Sequence, residues 1–169
     1  IRGNAGAFAG EIIDSIFQVL ALDSNFKLRN LSNKQCRFSY RNSIFKEKDW
    51  IVISASVKLE KGVKKDLMSI ANSRIQYRNE RHPLEYPNAG SIFKNVDLKK
   101  VPQKFQKVFS DKVKKDPFPI IPTAWLIIGA GLAGKRIGQA QISPKHSNYI
   151  VNLGGAKAND VLKLIEFVK

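Results

Sequence analysis

AWLIIGAGLAG, residues 124–134, distinguishes between two possible fold classes for this chain. It matches the GxGxxG fingerprint of dinucleotide-binding sheets, which requires a helix that begins within the glycines and an acidic residue about 20 positions later. The segment 135–138, Lys-Arg-Ile-Gly, breaks any such helix, and the next acidic residue is Asp160. We therefore reject a dinucleotide-binding sheet. The same residues predict a helix over 123–128, capped by Thr123 and ended by Gly129, and then a glycine turn and a strand over 137–143.

Hydrophobic periodicity outlines the remaining elements. Alternation predicts strands, and apolar residues at helical spacing predict helices. Strands are expected at 16–22 and 50–59, with a loop or strand edge at 40–43. A short helix is expected after Ser32, and longer helices are expected at 63–79, 101–113 and 157–168. Lys61-Gly62 marks a domain boundary. This order predicts an α+β fold.

Charge is the unusual part of the composition. The chain has 29 Lys and Arg against 14 Asp and Glu, a formal net charge of +15, which favours anionic partners. The chain has a single cysteine, which excludes an internal disulfide, and its two histidines do not combine with that cysteine into a zinc-ligand spacing. We therefore expect no bound metal and a reducing, cytoplasmic setting. The longest apolar stretch is too short and too rich in glycine and proline for a membrane span.

A single serine lies between a turn glycine and a cation in PNAGSIFKN, residues 87–95. Asn88 and Gly90 tolerate unusual backbone angles, Ser91 is a candidate acid, and Lys94 and Asn95 offer donors to an anion. Taken alone, this pattern is also that of an ordinary turn.

Five segments in order resemble one family, the UDP-N-acetylenolpyruvoylglucosamine reductases, also called UDP-N-acetylmuramate dehydrogenases. The resemblance covers nearly the whole chain and is poorest over 96–120. The segments are NAGAF (4–8), YRNSIF (40–45), YPNAGSIFKN (86–95), GLAGKRIG (131–138) and SPKHSNYIVN (143–152).

The resemblance implies a flavoenzyme of bacterial peptidoglycan synthesis, with roles in cell wall biogenesis, cell shape and cell division. NADPH reduces bound FAD, and the flavin reduces UDP-N-acetylglucosamine enolpyruvate to UDP-N-acetylmuramate. It further implies that Arg41 polarises the enolpyruvyl carboxylate and that Ser91 is the proton donor. An unperturbed serine is a poor acid, so Ser91 would need assistance.

The resemblance also implies ligand-binding residues. The backbone of Asn4, Ala5, Gly6 and Ala7 would line the flavin. The substrate would contact Arg81, Tyr86, Asn95 and His146, although neighbouring cations could replace Arg81 at a phosphate.

By the same resemblance, residues 1–61 are the remainder of a two-part FAD-binding domain and 62–169 a smaller α/β substrate-binding domain. The chain would then be a fragment of a monomeric enzyme, inactive alone, without the amino-terminal flavin subdomain and a carboxyl-terminal glutamate. The alternative from another class is a basic nucleic-acid-binding module, since lysines are dense between residues 94 and 115. Few aromatics interleave with them, so we favour the enzyme and expect no nucleic acid as partner.

Overall fold

A three-stranded antiparallel sheet organises the first of two units, Ile1–Gly62, in a computed structural model that describes residues 1–115 and 118–169. Its strands have the order β4-β3-β5. Two 3-10 turns, Ile12–Asp14 and Lys34–Cys36, accompany them. The elements are β1 (Gly6–Ala7), β2 (Gly10–Glu11), β3 (Ile16–Leu22), β4 (Leu28–Ser32), α1 (Ile44–Glu47) and β5 (Ile51–Val57).

The core of this unit follows from the alternation in β3. Val19 and Ala21 are fully buried and pack with Leu31 of β4 and Phe45 of α1. The predicted strand at 16–22 is confirmed, and the one at 50–59 is confirmed with shorter bounds. Burial raises the pKa of the Cys36 thiol, which packs in the same core.

A tight turn joins β3 to β4 around Asp23. The carboxylate of Asp23 accepts hydrogen bonds from the backbone of Lys27 at 3.0 Å and Asn25 at 2.9 Å, and from Arg29 Nε at 2.8 Å. These bonds, led by that from Lys27, hold the pKa of Asp23 below its ordinary value. The turn therefore aligns β4, a strand that the periodicity does not predict.

The second unit, Val63–Lys169, is built on a four-stranded antiparallel sheet of order β6-β11-β10-β9. Strands β7 and β8 form a separate pair. Leu164 of α5 is fully buried against the larger sheet. The elements are α2 (Lys64–Arg81), β6 (Asn88–Ser91), β7 (Val96–Asp97), α3 (Gln103–Val108), β8 (Ile120–Ile121), α4 (Thr123–Gly129), β9 (Arg136–Ile137), β10 (Ala140–Ile142), β11 (Tyr149–Asn152) and α5 (Ala158–Val168).

The glycine stretch folds as a helix, a turn and a hairpin. Helix α4 ends at Gly129 and none begins among the glycines, so the rejection of the dinucleotide-binding sheet is confirmed. Gly131 and Gly134 take positive φ angles of +70° and +81°. The single strand predicted over 137–143 is wrong, because a hairpin turn at Gly138 divides it into β9 and β10.

Two predicted helical features also differ. Thr123 does not cap α4: Pro122 holds the N-cap position, and the Thr123 hydroxyl donates instead to the Lys94 carbonyl. The helix predicted over 101–113 shrinks to α3. Pro102 stands at its start, and since proline has no N–H, α3 cannot continue from the preceding 3-10 turn, Leu98–Lys100.

Helix α2 confirms the helix predicted over 63–79 and extends it to Arg81. Its apolar side chains are nevertheless exposed, and none of its residues is buried. The helix predicted over 157–168 is confirmed as α5. Among the described residues, no helix has the length and apolar character needed to span a membrane.

Candidate functional site

A short hairpin forms the segment that the resemblance assigns to the cofactor. Strands β1 and β2 pair through Gly6 with Glu11 and Ala7 with Gly10. The two residues between them, Phe8 and Ala9, both take positive φ, at 53° and 61°, as in the tight hairpins whose twist matches that of the strands. A Cβ on Gly6 would lie 2.7 Å from Glu11 Cγ and 2.8 Å from the Gly10 carbonyl oxygen, so this position requires glycine.

Asn4 anchors the start of this hairpin from inside. Its side chain is fully buried, and its Nδ2 donates to Glu11 Oε2 at 2.8 Å and to the Ser39 carbonyl at 3.2 Å. Its Oδ1 accepts from the Ile13 N–H at 3.1 Å. A ligand of this segment would therefore meet backbone and small side chains rather than the Asn4 amide.

The structure brings Arg41 to the same hairpin. Arg41 Nη2 donates to the Gly6 carbonyl at 3.1 Å, with a longer contact of 3.4 Å from Nη1 to the Asn4 carbonyl. Glu11 Oε1 lies 3.9 Å from Nη1, and the guanidinium carbon is 5.0 Å from the centre of the Tyr40 ring. About a third of the side chain remains exposed, at 36%. The arrangement is a cation of fixed orientation with one open side, suited to an anionic group.

Ser91 ends the edge strand β6 with its residue exposed. The turn before it is fixed by Asn88, whose Nδ2 donates to the Pro83 and Tyr86 carbonyls while its Oδ1 accepts from the Gly90 N–H at 3.0 Å. Gly90 has a φ of +82°. The predicted unusual backbone angle is thus present at Gly90 but not at Asn88, which fixes the turn through its side chain, and Ser91 is left exposed.

The residues after Ser91 are held by Asn148. The Ile92 N–H donates to the Asn148 carbonyl at 2.8 Å. The Phe93 N–H donates to Asn148 Oδ1, and Asn148 Nδ2 donates to the Phe93 carbonyl, both at 2.9 Å. Asn148 is 4% exposed, so this clamp lies away from water.

Asn95 and Lys94 contact the start of α4. Asn95 Oδ1 accepts from the Thr123 N–H at 3.2 Å, and the Lys94 carbonyl accepts from the Thr123 hydroxyl at 2.5 Å. The Asn95 side chain therefore has a structural contact in addition to the substrate contact that the resemblance implies.

His146 belongs to a cluster of rings. Its centroid lies 4.7 Å from that of Tyr149 and 5.6 Å from that of His82. The pKa of His146 is lowered by burial and, to a smaller extent, by the charges of the neighbouring His82 and Lys114. Burial, Arg78 and Lys145 lower the pKa of His82. Both imidazoles are therefore held neutral at neutral pH.

Arg81 and Tyr86 are both exposed, and Arg81 reaches the ring cluster through Tyr77, whose ring centroid lies 6.4 Å from that of His82. The Arg81 guanidinium carbon lies 4.4 Å from the centre of the Tyr77 ring, and Tyr86 is 43% exposed. Nearby, Lys145 Nζ donates to the Asn79 carbonyl at 3.0 Å and lies 3.6 Å from Glu85 Oε2.

The assigned residues thus divide between the two units. Arg41 and residues 4–7 meet in the first, whereas Ser91, Arg81, Tyr86, Asn95 and His146 belong to the second. No group of three or more potential metal-ligating side chains occurs in the parts of the chain that the structure describes. Sequence reasoning missed Glu11, His82, Asn148 and Tyr149, although His82 is one of only two histidines in the chain.

Comparison with known proteins gives a direct match for the second unit. Residues 82–169 match the family model described as UDP-N-acetylenolpyruvoylglucosamine reductase, C-terminal domain. This chain belongs to that family. The matched range contains Ser91, Asn95 and His146, whereas Arg41 and residues 4–7 precede it.

Curated reductases match almost the entire chain. UDP-N-acetylenolpyruvoylglucosamine reductase of Caldanaerobacter subterraneus is 39% identical over 98% of this chain and 48% of its own length. The reductase of Fervidobacterium nodosum is 40% identical over 98% of this chain and 47% of its own length. This member of the family therefore spans about half the length of these relatives.

A solved structure agrees with the mixed helix and sheet. The crystal structure of UDP-N-acetylenolpyruvylglucosamine reductase from Thermus caldophilus is similar with a TM-score of 0.73 at 28% identity. The match covers 99% of this chain and 53% of that one. The resemblance drawn from the five sequence segments is confirmed at the level of the family.

Proposed function

We propose that this chain is part of a reductase that converts UDP-N-acetylglucosamine enolpyruvate to UDP-N-acetylmuramate, with FAD as bound cofactor and NADPH as reductant, in cytoplasmic peptidoglycan precursor synthesis. The observation that carries the proposal is the family match over 82–169, which includes Ser91 on its turn. In this proposal, Ile1–Gly62 is part of the FAD-binding domain and Val63–Lys169 binds the UDP-sugar. The enzyme acts as a monomer.

Residues 4–7, which lead into the hairpin and form its first strand, fit a flat cofactor ring. Their exposed members, Ala5 and Ala7, are small, and buried Asn4 fixes the backbone through its side-chain hydrogen bonds; Phe8, at the turn that follows, is 39% exposed. Small residues allow close approach of a ring to the backbone. When bound, the reduced flavin supplies the hydride.

Arg41 supplies the cation in this proposal. Negative charge builds toward the enolpyruvyl carboxylate during reduction, and a preorganised donor at that position lowers the barrier. The bond to the Gly6 carbonyl and the ion pair with Glu11 hold the guanidinium in place before substrate arrives. Lysine would keep the charge at position 41 but lose the planar fork that makes these contacts.

Ser91 delivers the proton to the substrate carbon next to the carboxylate. Its exposed hydroxyl follows Gly90, and the backbone after it is fixed by Asn148. Asn95, His146, Tyr86 and Arg81 then bind the substrate, with the arginine at a phosphate. The positive charge of the chain attracts these polyanionic ligands, and we propose no nucleic acid as partner.

The test separates the two half-reactions in a polypeptide of full family length that contains these 169 residues. In Ser91→Ala, NADPH should reduce the flavin at the original rate, while reoxidation by the enolpyruvyl substrate should slow by about 100-fold or more, as for loss of a general acid. Ser110→Ala, at another exposed serine of the second unit, is the matched control and should leave both steps unchanged. Equal loss of both half-reactions in Ser91→Ala would refute the assigned role.

A further inference from the structure

Two rings beside β6 form a hydrogen bond that the proposed chemistry leaves unused. The Tyr149 hydroxyl and His82 Nδ1 are 3.1 Å apart, across 67 positions of the chain. Tyr149 is 8% exposed, and its ring centroid lies 5.2 Å from that of His82. His146 packs on both rings. The bond therefore links the segment after α2 to the first residue of β11.

Tyr149, one member of this pair, is the cross-strand neighbour of Ser91. Tyr149 and Ser91 are opposite each other in the antiparallel pairing of β11 with β6. Directly opposite residues point to the same face of a sheet, with Cβ atoms about 5 Å apart. The register shifts immediately afterwards, between Tyr149 and Val151, so regular pairing does not hold Ser91 on both sides. The Tyr149 ring is thus the side chain that lies across from Ser91 on the same face of the sheet.

We propose that the hydrogen-bonded pair of His82 and Tyr149 is a positioning pair for Ser91, which holds the tyrosine ring against the serine and so sets the direction of its hydroxyl. The proposal rests on the proposed function of Ser91 as proton donor. Neither residue touches the reacting atoms in it, and the effect passes through the cross-strand contact. A misdirected donor costs rate in the proton-transfer step without a matching loss of substrate affinity.

The charges around His82 favour the neutral imidazole, in which Nδ1 can accept from the Tyr149 hydroxyl. Arg78 at the end of α2 and Lys145 before β11 face His82, and Lys114 faces the neighbouring His146. These cations and burial disfavour a protonated imidazole. A protonated His82 can only donate, so protonation would reverse the direction of the hydrogen bond and turn the hydroxyl hydrogen of Tyr149 away from His82.

The test uses the polypeptide of full family length and three variants. Tyr149→Phe keeps the ring and removes the hydroxyl, His82→Ala removes the partner, and His82→Gln retains a group that can hydrogen-bond. Tyr149→Phe and His82→Ala should each slow flavin reoxidation by about tenfold, with KM for the enolpyruvyl substrate and reduction by NADPH unchanged. His82→Gln should restore most of the rate. The double variant, Tyr149→Phe with His82→Ala, should be no slower than either single one, because both remove the same interaction.

The pH profile adds a measurement that loss of packing alone would not move. As the pH falls below the ordinary histidine pKa of 6.5 toward the lowered pKa of His82, the imidazole gains a proton, its hydrogen bond with Tyr149 reverses direction, and reoxidation should slow. In His82→Gln this acid limb should be reduced. Urea unfolding of each variant identifies any that fails to fold, and Tyr149→Phe, with one atom removed, remains decisive.

The outcomes separate this inference from the proposed function. If Ser91→Ala slows reoxidation but Tyr149→Phe and His82→Ala do not, the positioning role is wrong and the role of Ser91 stands. Additive effects of the two single changes, or equal loss of both half-reactions, would also overturn the positioning role. If Ser91→Ala leaves reoxidation unchanged, the assigned role of Ser91 fails, and the positioning role fails with it.

Discussion

Replacement of Asn148 by alanine should destabilise the second unit more than any comparable change of a surface amide. The substitution removes both side-chain hydrogen bonds to Phe93, each 2.9 Å long. It leaves the carbonyl of residue 148 free to accept from Ile92, so the backbone contact remains. The change therefore isolates the two-point clamp of the side chain.

The magnitude follows from the burial of the clamp. A typical hydrogen bond contributes about 1 kcal/mol net, and a buried group left without a partner costs about 1–3 kcal/mol. Asn148 is 4% exposed and Phe93 is half-buried. We expect a loss of about 2 kcal/mol if water reaches both orphaned groups of Phe93, and of about 4 kcal/mol if it reaches neither.

The assay exploits the placement of the two tryptophans, Trp50 in the first unit and Trp125 in the second. In a Trp50→Phe background, Trp125 fluorescence follows urea unfolding of the second unit, and the midpoint should fall by about 1 M or more. Asn159→Ala, at an exposed position of α5, is the control and should shift stability by less than about 0.5 kcal/mol. A similarly small shift for Asn148→Ala would refute the reasoning.

Three further changes test other parts of the fold. The carboxyl of Asp23 has a lowered pKa, so the first unit should lose stability as the pH falls below the ordinary value of 3.8, and Asp23→Asn should flatten that loss in acid unfolding curves. Leu164→Ala removes a fully buried side chain and should cost about 2–5 kcal/mol in urea unfolding. Gly138→Ala combines a φ of +54° with a Cβ that would collide with the Asp160 carboxylate; it should lower the thermal midpoint more than Gly131→Ala, which has a φ of +70° and open space. Equal effects of the two glycine changes would remove the collision as a cause.

The sequence predicted those helices and strands whose own residues show a clear hydrophobic periodicity. Strand β3 alternates strongly enough that its bounds were predictable, and α5 carries an apolar side at helical spacing. Strand β4 shows no such alternation in its sequence, and in the structure only Leu31 of its five residues is buried. Its place depends on the turn at Asp23, where carboxylate bonds rather than periodicity align the chain. The helix predicted over 101–113 is the opposite case. Its apolar residues keep helical spacing over a longer range than α3, although Pro102 and 3-10 turns interrupt the helical backbone there.

The site was predictable only in part for a related reason. Ser91 and Arg41 stand in short segments whose residue types suggest their chemistry, and the family resemblance supplied their proposed roles. The residues that fix their surroundings contact them from far along the chain. Asn148 reaches Phe93 across 55 positions and His82 reaches Tyr149 across 67. No local spacing encodes such contacts, because they arise when β6 and β11 pair.

Helix α2 has a consequence for how the molecule opens. An 18-residue helix without a buried side chain gains little from packing, which supplies most of the stability of helices in proteins. Its carboxyl end is attached through the Lys145 contact to Asn79, whereas its amino end has no side-chain cap. Amide protons near Lys64 should therefore exchange with solvent before those near Arg81, and trypsin should make its first cuts in this helix, ahead of the sheets.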